Sequence, residues 1–552
     1  MISREPSVLL MSVCLLAAMA ATPAGLHASP DPPKGSGYDG LVTLFRDWRA
    51  FQKPKVADGV PDYRPAAMAA QQRELETYRK RLAAIDPSAW PVPQQVDWNL
   101  VRAEMNGLDF DHRVLQPWAN DPAFYCTVFF EESDQPAREG PFALGAVELW
   151  SYKYPLSADD AAKIAPGIRA VPALLAQAKT NLTGNRRDLW VYSVANLKQQ
   201  SKDLADLAGR LSGPSASLKS DVDKARAATD DFVAWVDAQS KTKTGPSGVG
   251  IENYDWYLKN VQLVPYTWAE EVALMQRELG RARALLAMEE LKNRKLPPQQ
   301  PAASAQEFDD KFNAAVDAYM AFLKDNEILT VKDYMDPALR ARKGTFSPGP
   351  LEFFSEVDYR DREVMLTHDY HWFDKQFLVH EPAATPIRKE TLLYNIFNTR
   401  TEGHATGWEE WMMQAGMFDA RPRTHELIYI LVAQRAARSL GELYMQSNQM
   451  SLEQAAAFAC ANVPRNYLRL NGNLVRGEQF IYLQQPGYGT CYLMGKIQLD
   501  RLLAEKKAEQ GDQFTMKAFM DDFNKRGMIP ASMLRWEMTG KKSPELEKML
   551  GR

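Results

Sequence analysis

The chain has 552 residues and a formal net charge of −4 at pH 7, with acidic and basic residues interspersed. No basic stretch marks a nucleic-acid interface, so we expect no nucleic-acid partner. Of the four cysteines, Cys14 lies in the N-terminal apolar run, and the other three are too few for a four-cysteine zinc ribbon. A chain of this length can bury a core that holds its fold.

An apolar segment near the N-terminus predicts a signal peptide over residues 1–28. Arg4 precedes an apolar run from Val8 to Ala21, which is shorter than the roughly 20 residues that a membrane-spanning helix needs. Small residues follow the run and allow cleavage after Ala20, Ala24 or Ala28. An uncleaved anchor is the alternative, but the polar, Pro-rich sequence after the run favours cleavage.

The remainder of the chain has no segment apolar enough to cross a bilayer, so we expect no membrane span in the mature protein. The predicted location is the periplasm, or the medium if the protein is fully secreted. Three cysteines remain after cleavage: Cys126, Cys460 and Cys491. An oxidising compartment permits one disulfide and leaves one thiol, and the sequence does not decide which pair forms.

Periodic apolar residues predict helices along most of the chain. Leucines from Leu197 to Leu211 form one stripe, Ser212-Gly213-Pro214 ends it, and a second stripe runs from Leu218 to Val236. This pattern is typical of an antiparallel helical hairpin. Further helices are predicted at residues 268–295, 424–446 and 451–461, and strand-like alternation is rare. We therefore expect a mainly α fold.

Two internal breaks, at residues 245–248 and 297–301, are rich in Pro and Gly or in Pro alone. Neither is long enough to separate independent domains. We expect an N-terminal helical half over residues 29–330 and a C-terminal helical half over residues 331–552, packed as one body, with the functional site in the second half.

Histidines cluster in that second half. Of seven, five fall within 58 residues, and several acidic side chains lie in the same window. They are His368, His371, His380, His404 and His425, with Asp369, Asp374, Glu381, Glu402, Glu409 and Glu410 among the acidic residues. Zinc accepts imidazole nitrogen and carboxylate oxygen as ligands. The cluster predicts a metal site, and the competing interpretation is a set of core or surface histidines beside solvated glutamates.

The spacing within this cluster suggests which residues would converge. His368 and His371 are three apart and would share one face of a helix, and Glu402 and Glu409 are two helical turns apart. Asp369 adjoins the first histidine, where a general base for a hydrolytic water would be needed. The H-E-x-x-H motif of helical zinc peptidases is absent.

Three ordered motifs resemble one protein family. Residues 401–409, T-E-G-H-A-T-G-W-E, are similar to its E-G-W-A-x-Y-x-E element. Residues 486–496, P-G-Y-G-T-C-Y-L-M-G-K, resemble its P-G-Q-A-x-x-Y-x-x-G-x element, and residues 250–258 resemble its G-x-x-x-Y-x-x-x-L element. On these motifs the chain resembles, over about residues 40–545, the bacterial domain-of-unknown-function family 885, regarded as exported zinc metallopeptidases.

The resemblance implies a large gluzincin-like body of many helices with few short strands. It also implies a metal-dependent hydrolase that uses zinc and takes a peptide or other small substrate in a groove. The roles that it assigns are metal binding by His368, His371 and Glu402, orientation of a ligand by Glu409, base catalysis by Asp369, and oxyanion stabilisation by Tyr488 or Tyr492. Core packing is the alternative role for each tyrosine.

The sequence departs from the family at residues 367–376, where the family has H-E-x-x-P-G-H-H. His368 matches the first histidine, Asp369 replaces the glutamate, the Pro-Gly is absent, and His371 is the nearest substitute for the later pair. His404 also replaces a tryptophan, but two residues from Glu402 it would face away on a regular helix.

Two functions therefore stay open, with a purely structural helical scaffold as a third. One is an exported hydrolase with altered metal ligands, acting on peptides. The other is a catalytically inactive, peptidase-like binding protein that holds no metal.

Overall fold

The computed structural model describes residues 37–551, so the predicted signal peptide lies outside the described residues. Helices dominate this range, which confirms the predicted mainly α fold. The first part contains the helices α1 Tyr38–Phe51, α2 Pro65–Ala83, α3 Val92–Phe110 and α4 Pro117–Asn120, and the paired strands β1 Val56–Ala57 and β2 Val60–Pro61. Alpha3 continues without a break into a π-helical turn, Asp111–Leu115.

The next part contains a pair of parallel two-residue strands and a helical hairpin. Its elements are β3 Val128–Phe129, β4 Val147–Glu148, α5 Ala158–Asn181, α6 Arg187–Arg210, α7 Lys219–Ser240 and α8 Ile251–Tyr257. Alpha6 packs along α7, which confirms the predicted hairpin. Its turn is where the sequence has Gly213-Pro214, because proline and a positive-φ glycine stop a helix. The strands bracket a loop, residues 130–146, called the β3–β4 loop below.

The later helices are α9 Trp268–Lys292, α10 Ala305–Asp325, α11 Met335–Arg340, α12 Phe353–Asp358, α13 Arg362–His368, α14 Tyr370–His380, α15 Asn398–Gln414, α16 Thr424–Gln446, α17 Leu452–Asn462, α18 Leu474–Gln484, α19 Tyr488–Gln510, α20 Met516–Lys525, α21 Ala531–Thr539 and α22 Pro544–Leu550. The prediction for residues 424–446 is confirmed to the residue, and those for 268–295 and 451–461 to within a few residues. Capping explains two starts: Thr267 and Glu270 form a capping box before α9, and Ser451 and Gln454 form one before α17.

Alpha15 and α16 lie at the centre of the molecule and are buried almost all round. Alpha15 crosses α19 at two glycines. A β-carbon on Gly403 would lie 2.4 Å from the Gly495 Cα, and one on Gly495 would lie 2.1 Å from the Thr399 carbonyl oxygen. Only glycine permits this separation, so the Gly of E-G-H and the last Gly of the 486–496 motif together set how closely the two helices approach.

The largest apolar core draws residues from both sides of residue 330. The division into halves at residue 330 stays a prediction, as does the gluzincin-like assignment. Cys126, Cys460 and Cys491 are all free thiols in the structure. Among residues 37–551, no helix is long and apolar enough to cross a membrane.

Candidate metal site

Three of the predicted ligands meet in space. His368 is the last residue of α13, His371 lies in the first turn of α14, and Glu402 lies in α15. One donor atom from each lies within 4.8 Å of the other two. The Glu402 Oε2 is 3.2 Å from the His371 Nε2 and 3.9 Å from the His368 Nε2. Ligand atoms around tetrahedral zinc lie roughly 3.3 Å apart when bonds are about 2.0–2.1 Å. The pair formed by Glu402 and His371 matches this separation, and the Nε2 of His368 would have to move closer.

The two histidines do not share one continuous helix, contrary to the expectation from their spacing. The chain leaves helical geometry at Asp369, where ψ is 9°, and α14 begins at the next residue. The two imidazole rings are nearly perpendicular, with centroids 5.0 Å apart. They therefore reach Glu402 from either side of a helix junction rather than from one helix face.

A buried ion pair fixes this junction against α15. The Arg400 guanidinium donates to both Asp374 carboxylate oxygens, at 2.8 and 2.9 Å, and both side chains are almost fully buried. Asp374 is one turn beyond His371, and Arg400 is two residues before Glu402. A bidentate arginine–carboxylate pair is directional, so this contact sets the position of His371 relative to Glu402.

Glu409 contacts the Nδ1 side of the His368 ring. Its Oε1 lies 3.0 Å from the His368 Nδ1, and the Arg435 guanidinium of α16 bonds both Glu409 oxygens at 2.6 and 2.8 Å. Burial alone would raise the pKa of Glu409, but Arg435 and His368 lower it. A charged carboxylate at this place can accept the Nδ1 proton of His368, which would leave the Nε2 lone pair for a cation. The Arg435 guanidinium lies 3.1 Å from the same Nδ1.

Glu402 has one satisfied oxygen and one open oxygen. Its Oε1 accepts a hydrogen bond from the Tyr488 hydroxyl at 2.8 Å. Its Oε2 is buried and has no hydrogen-bond partner of acceptable angle among the described residues, although the His371 Nε2 is close. Burial would raise the pKa of Glu402, yet His371, His368 and Tyr488 together lower it to about 2. The open oxygen is therefore negatively charged.

His371 is held on its other side by Gln135 from the β3–β4 loop. The Gln135 Nε2 lies 3.3 Å from the His371 Nδ1, and the Thr401 hydroxyl donates to the Gln135 Oε1 at 2.7 Å. Burial would lower the pKa of His371, but Asp134 and Glu402 raise it to about 9. The negative charge of Asp134 and Glu402 around this ring also favours a bound cation.

The β3–β4 loop was not anticipated as part of the site. It is tied to α14 by Lys375, which contacts the Glu132 carboxylate at 2.5 Å and the Ser133 carbonyl at 2.8 Å. It brings Glu139 to 3.4 Å from the Tyr488 hydroxyl. Burial, and then the neighbouring Asp134, raise the pKa of Glu139 to about 7. The only available signal in the sequence was the acidic composition of the loop, which is common in exposed turns.

The structure places the other predicted residues around the triad. Asp369 lies on the rim, with its carboxylate 3.7 Å from Arg362, and burial raises its pKa. Tyr492 packs edge-on against Tyr488, with ring centroids 5.8 Å apart, and lies 5.1 Å from the Arg438 guanidinium. Glu409 supports a ligand and is not one of the three converging groups.

The remaining histidines of the cluster lie elsewhere. His404 is enclosed by Tyr370, Trp408 and Phe523, and neither ring nitrogen has a hydrogen-bond partner among the described residues. Burial lowers its pKa well below the usual value. His380 stacks on Tyr334, with ring centroids 4.5 Å apart. His404 therefore faces the aromatic core.

Comparison with known proteins identifies relatives of undefined function. The model of a family described as "Bacterial protein of unknown function (DUF885)" matches residues 48–343 and 376–538. Two solved structures are similar: a "putative lipoprotein of unknown function" from Shewanella oneidensis and the "putative lipoprotein" from Colwellia psychrerythraea. The first has a TM-score of 0.63 at 14% identity, covering 91% of this chain and 100% of that one. The second has a TM-score of 0.62 at 14% identity, covering 92% and 99%. No curated protein matches.

The family match is interrupted at residues 344–375. This gap contains His368, Asp369 and His371, whereas Glu402 and Tyr488 lie within matched segments. The part of the site that α15 and α19 supply is thus shared with the family pattern, and the two histidines come from the segment that departs from it.

Proposed function

Because this chain belongs to the DUF885 family, and because three donor atoms converge on one buried point, we propose that it is an exported metal-dependent hydrolase of the peptidase type. Zinc is the proposed metal, held by His368, His371 and Glu402. A peptide or another small substrate with a hydrolysable carbonyl is the proposed substrate class.

The observation that supports this proposal best is the open Oε2 of Glu402. A buried charged oxygen that makes no well-aligned hydrogen bond costs free energy, on the order of 1–3 kcal/mol or more. Its close polar neighbour, the His371 Nε2 at 3.2 Å, is itself a proposed ligand. A cation between this oxygen and the two histidines would remove that cost. Nitrogen and carboxylate ligands suit zinc.

Zinc in such a site supplies Lewis-acid polarisation of a carbonyl and a nucleophile at neutral pH. The residues of this chain orient the proposed ligands and hold protons near them. Glu409 fixes the ring of His368, and Gln135 fixes that of His371. Tyr488 holds Glu402 through Oε1 and leaves Oε2 free. Asp369 remains the proposed base, and Glu139 is a second carboxylate able to hold a proton near neutral pH.

Metal content tests the proposal directly. The mature protein, purified without a histidine tag and dialysed after incubation with zinc, should contain about one zinc per chain by elemental analysis. Glu402→Gln keeps the shape of the side chain but removes its charge, and His371→Asn removes a ligand. The zinc affinity of each variant should fall at least about 100-fold. His380→Asn is the matched control, because His380 is exposed and lies outside the triad. Equal zinc content in all four proteins would refute the site.

Activity separates the hydrolase from the metal-free binding protein. The interrupted family match and the contact between Asp369 and Arg362 favour the second function, since they affect the proposed base. Zinc-loaded protein should cleave members of a peptide library, and Glu402→Gln should not. Asp369→Asn and Glu139→Gln, compared at equal zinc content, should show which carboxylate the reaction needs. Stoichiometric zinc without cleavage would leave a binding protein with a metal site.

Export is the remaining component of the proposal. It is supported by the predicted signal peptide and by the description of both similar structures as lipoproteins. Cell fractionation, with N-terminal sequencing of the mature protein, should find residues 1–28 removed. An unprocessed N-terminus in the cytoplasmic fraction would contradict export.

A further inference from the structure

A cavity of about 430 Å³ is lined in part by the β3–β4 loop. Residues 137–144 of that loop, the end of α3 with its π-helical turn, and residues 391–395 form much of its wall. Most of the lining is apolar, and six aromatic side chains contribute to it: Tyr63, Trp118, Phe124, Phe142, Tyr257 and Tyr394. Large apolar pockets with few polar groups are the usual form of small-molecule sites.

Asp111 is the only acidic residue in this lining. It is the first residue of the π-helical turn that follows α3, and such turns are frequent at functional sites. Its carboxylate makes no hydrogen bond or ion pair with any described residue, and burial alone raises its pKa to about 8. Asp109, two residues earlier, instead pairs with Arg113 at 2.8 Å and with Arg79 at 3.5 Å.

The aromatic wall closely surrounds this carboxylate. Burial is the main cause of the raised pKa of Tyr63, Tyr257 and Tyr394, and the charge of Asp111 raises each of them further. Two of the phenols already bond to the protein: Tyr63 accepts from the Leu144 amide at 2.8 Å, and Tyr257 accepts from Gln262 at 3.3 Å. The cavity therefore offers chiefly aromatic surface and one carboxyl group that no protein side chain pairs with among the described residues.

Two cationic side chains also line the cavity, but neither neutralises Asp111. Arg138 is paired with Glu148 at 2.7 Å, and its guanidinium lies 4.1 Å from the centroid of the Phe129 ring. Lys53 is exposed. Ionising a carboxyl group without a partner in an apolar cavity is unfavourable, which is why burial raises the pKa of Asp111. A ligand that brings a positive charge would offset this cost and favour the ionised carboxylate.

We propose that this cavity binds an organic ammonium ion, a primary amine on an apolar body, with Asp111 as its counter-charge and the aromatic rings around its cation and body. Aromatic faces attract ammonium groups, and the attraction is strongest where water is excluded. A divalent metal ion would need more oxygen ligands than this wall provides. The proposal does not depend on zinc or on hydrolysis, because the ligand triad contributes no residue to this cavity.

Phenethylammonium chloride is the probe, and phenethyl alcohol is the neutral control of nearly equal size. Isothermal titration with the mature chain, in KCl of matched ionic strength, should show the amine binding at least about tenfold more tightly than the alcohol. Asp111→Asn should weaken amine binding at least tenfold and leave alcohol binding unchanged. Asp109→Asn, which removes a charge from the end of the same helix, should bind the amine like the wild type.

Thermal unfolding checks the variants. Asp111→Asn should keep or raise the melting temperature, because the carboxylate that it removes has no partner. Equal affinity for amine and alcohol, equal amine binding by both variants, or no binding up to about 10 mM would overturn the proposal. If Asp111→Asn does not fold, the amine and alcohol titrations of the wild type still decide it.

Discussion

Two clusters of buried glutamates lie on neighbouring helices, and the pKa values of their carboxyl groups are shifted in opposite directions. Around Glu402 and Glu409 in α15, the neighbours are the His371 and His368 rings and the Arg435 guanidinium. Around Glu271 in α9 and Glu442 in α16, the partners are the Tyr254 hydroxyl, at 3.2 and 3.4 Å, and backbone amides. The pKa of Glu402 is lowered to about 2, whereas burial raises that of Glu271 to about 8.

The difference shows that burial does not determine the charge of a carboxylate; its neighbours do. Charged neighbours keep Glu402 ionised, with one oxygen open to a cation. Glu442 is held by neutral donors, and burial raises its pKa well above the usual value. Glu442 accepts the amide protons of Gly487 and Thr490. It thereby anchors the start of α19, which carries Tyr488 to the first cluster.

The largest expected effect comes from forcing apart α15, which carries the first cluster, and α19, whose start Glu442 anchors. Gly495→Ala would place a β-carbon 2.1 Å from the Thr399 carbonyl oxygen, so the helices must move apart. We expect a loss of about 3–5 kcal/mol in the free energy of unfolding, measured with urea. Gly477→Ala in α18 is the control, because nothing lies within 4 Å of its new β-carbon. Equal stability of the two variants would show that the crossing is not tight.

The second prediction concerns pH and the neutral cluster. Glu271 has a pKa of 4.5 when unperturbed and about 8 when folded, so the folded protein binds this proton more tightly. The stability that this gives is fully present below pH 4.5 and is lost as pH rises through about 8. Glu271→Gln should therefore match the wild type near pH 5 and exceed it near pH 8.5 by about 2–4 kcal/mol.

Urea unfolding at both pH values measures this difference. Glu252→Gln, at an exposed position in α8, is the control and should give the same difference from the wild type at both. If Glu271→Gln also gave an unchanged difference, Glu271 would not be a proton-holding group in the folded protein.

The third prediction tests the support behind the charged cluster. Glu409→Gln keeps an oxygen near the His368 Nδ1 but removes the charge that Arg435 neutralises. Zinc affinity, measured by competition with a chelator, should fall about 10–100-fold. Glu410→Gln is the matched control, since Glu410 pairs with Arg281 and Lys496 outside the triad. Unchanged affinity in Glu409→Gln would mean that Glu409 only balances the charge of Arg435.

The smallest expected effect is that of the Tyr488 hydroxyl, which contacts Glu402 in the first cluster. Tyr488→Phe removes the 2.8 Å hydrogen bond to the Glu402 Oε1 and leaves Oε2 untouched. Zinc affinity should change by less than about threefold, while stability falls by about 1–2 kcal/mol in thermal unfolding. A loss of zinc as large as that of Glu402→Gln would show that Tyr488 determines the position of the ligand.

Local patterns in the sequence were sufficient for the mainly α fold class, for five of the helices and for part of the site. The apolar stripes and the Gly-Pro turn predicted the hairpin of α6 and α7, because periodicity and helix breakers act over a few residues. The histidine cluster likewise pointed to the residues that converge, since zinc chemistry restricts ligand types. The family motifs around Glu402 and Tyr488 indicated the two helices that meet beside them.

Contacts between distant segments decided the rest. Asp369 ends a helix that the spacing of His368 and His371 suggested was continuous. Gln135 reaches His371 across 236 positions of the sequence, and the cavity around Asp111 is assembled from several separate segments. The sequence by itself determined which residue types were available and where helices would form. Which carboxylates are charged, open or unpaired was decided only by tertiary packing, because charge state depends on neighbours that no local pattern specifies.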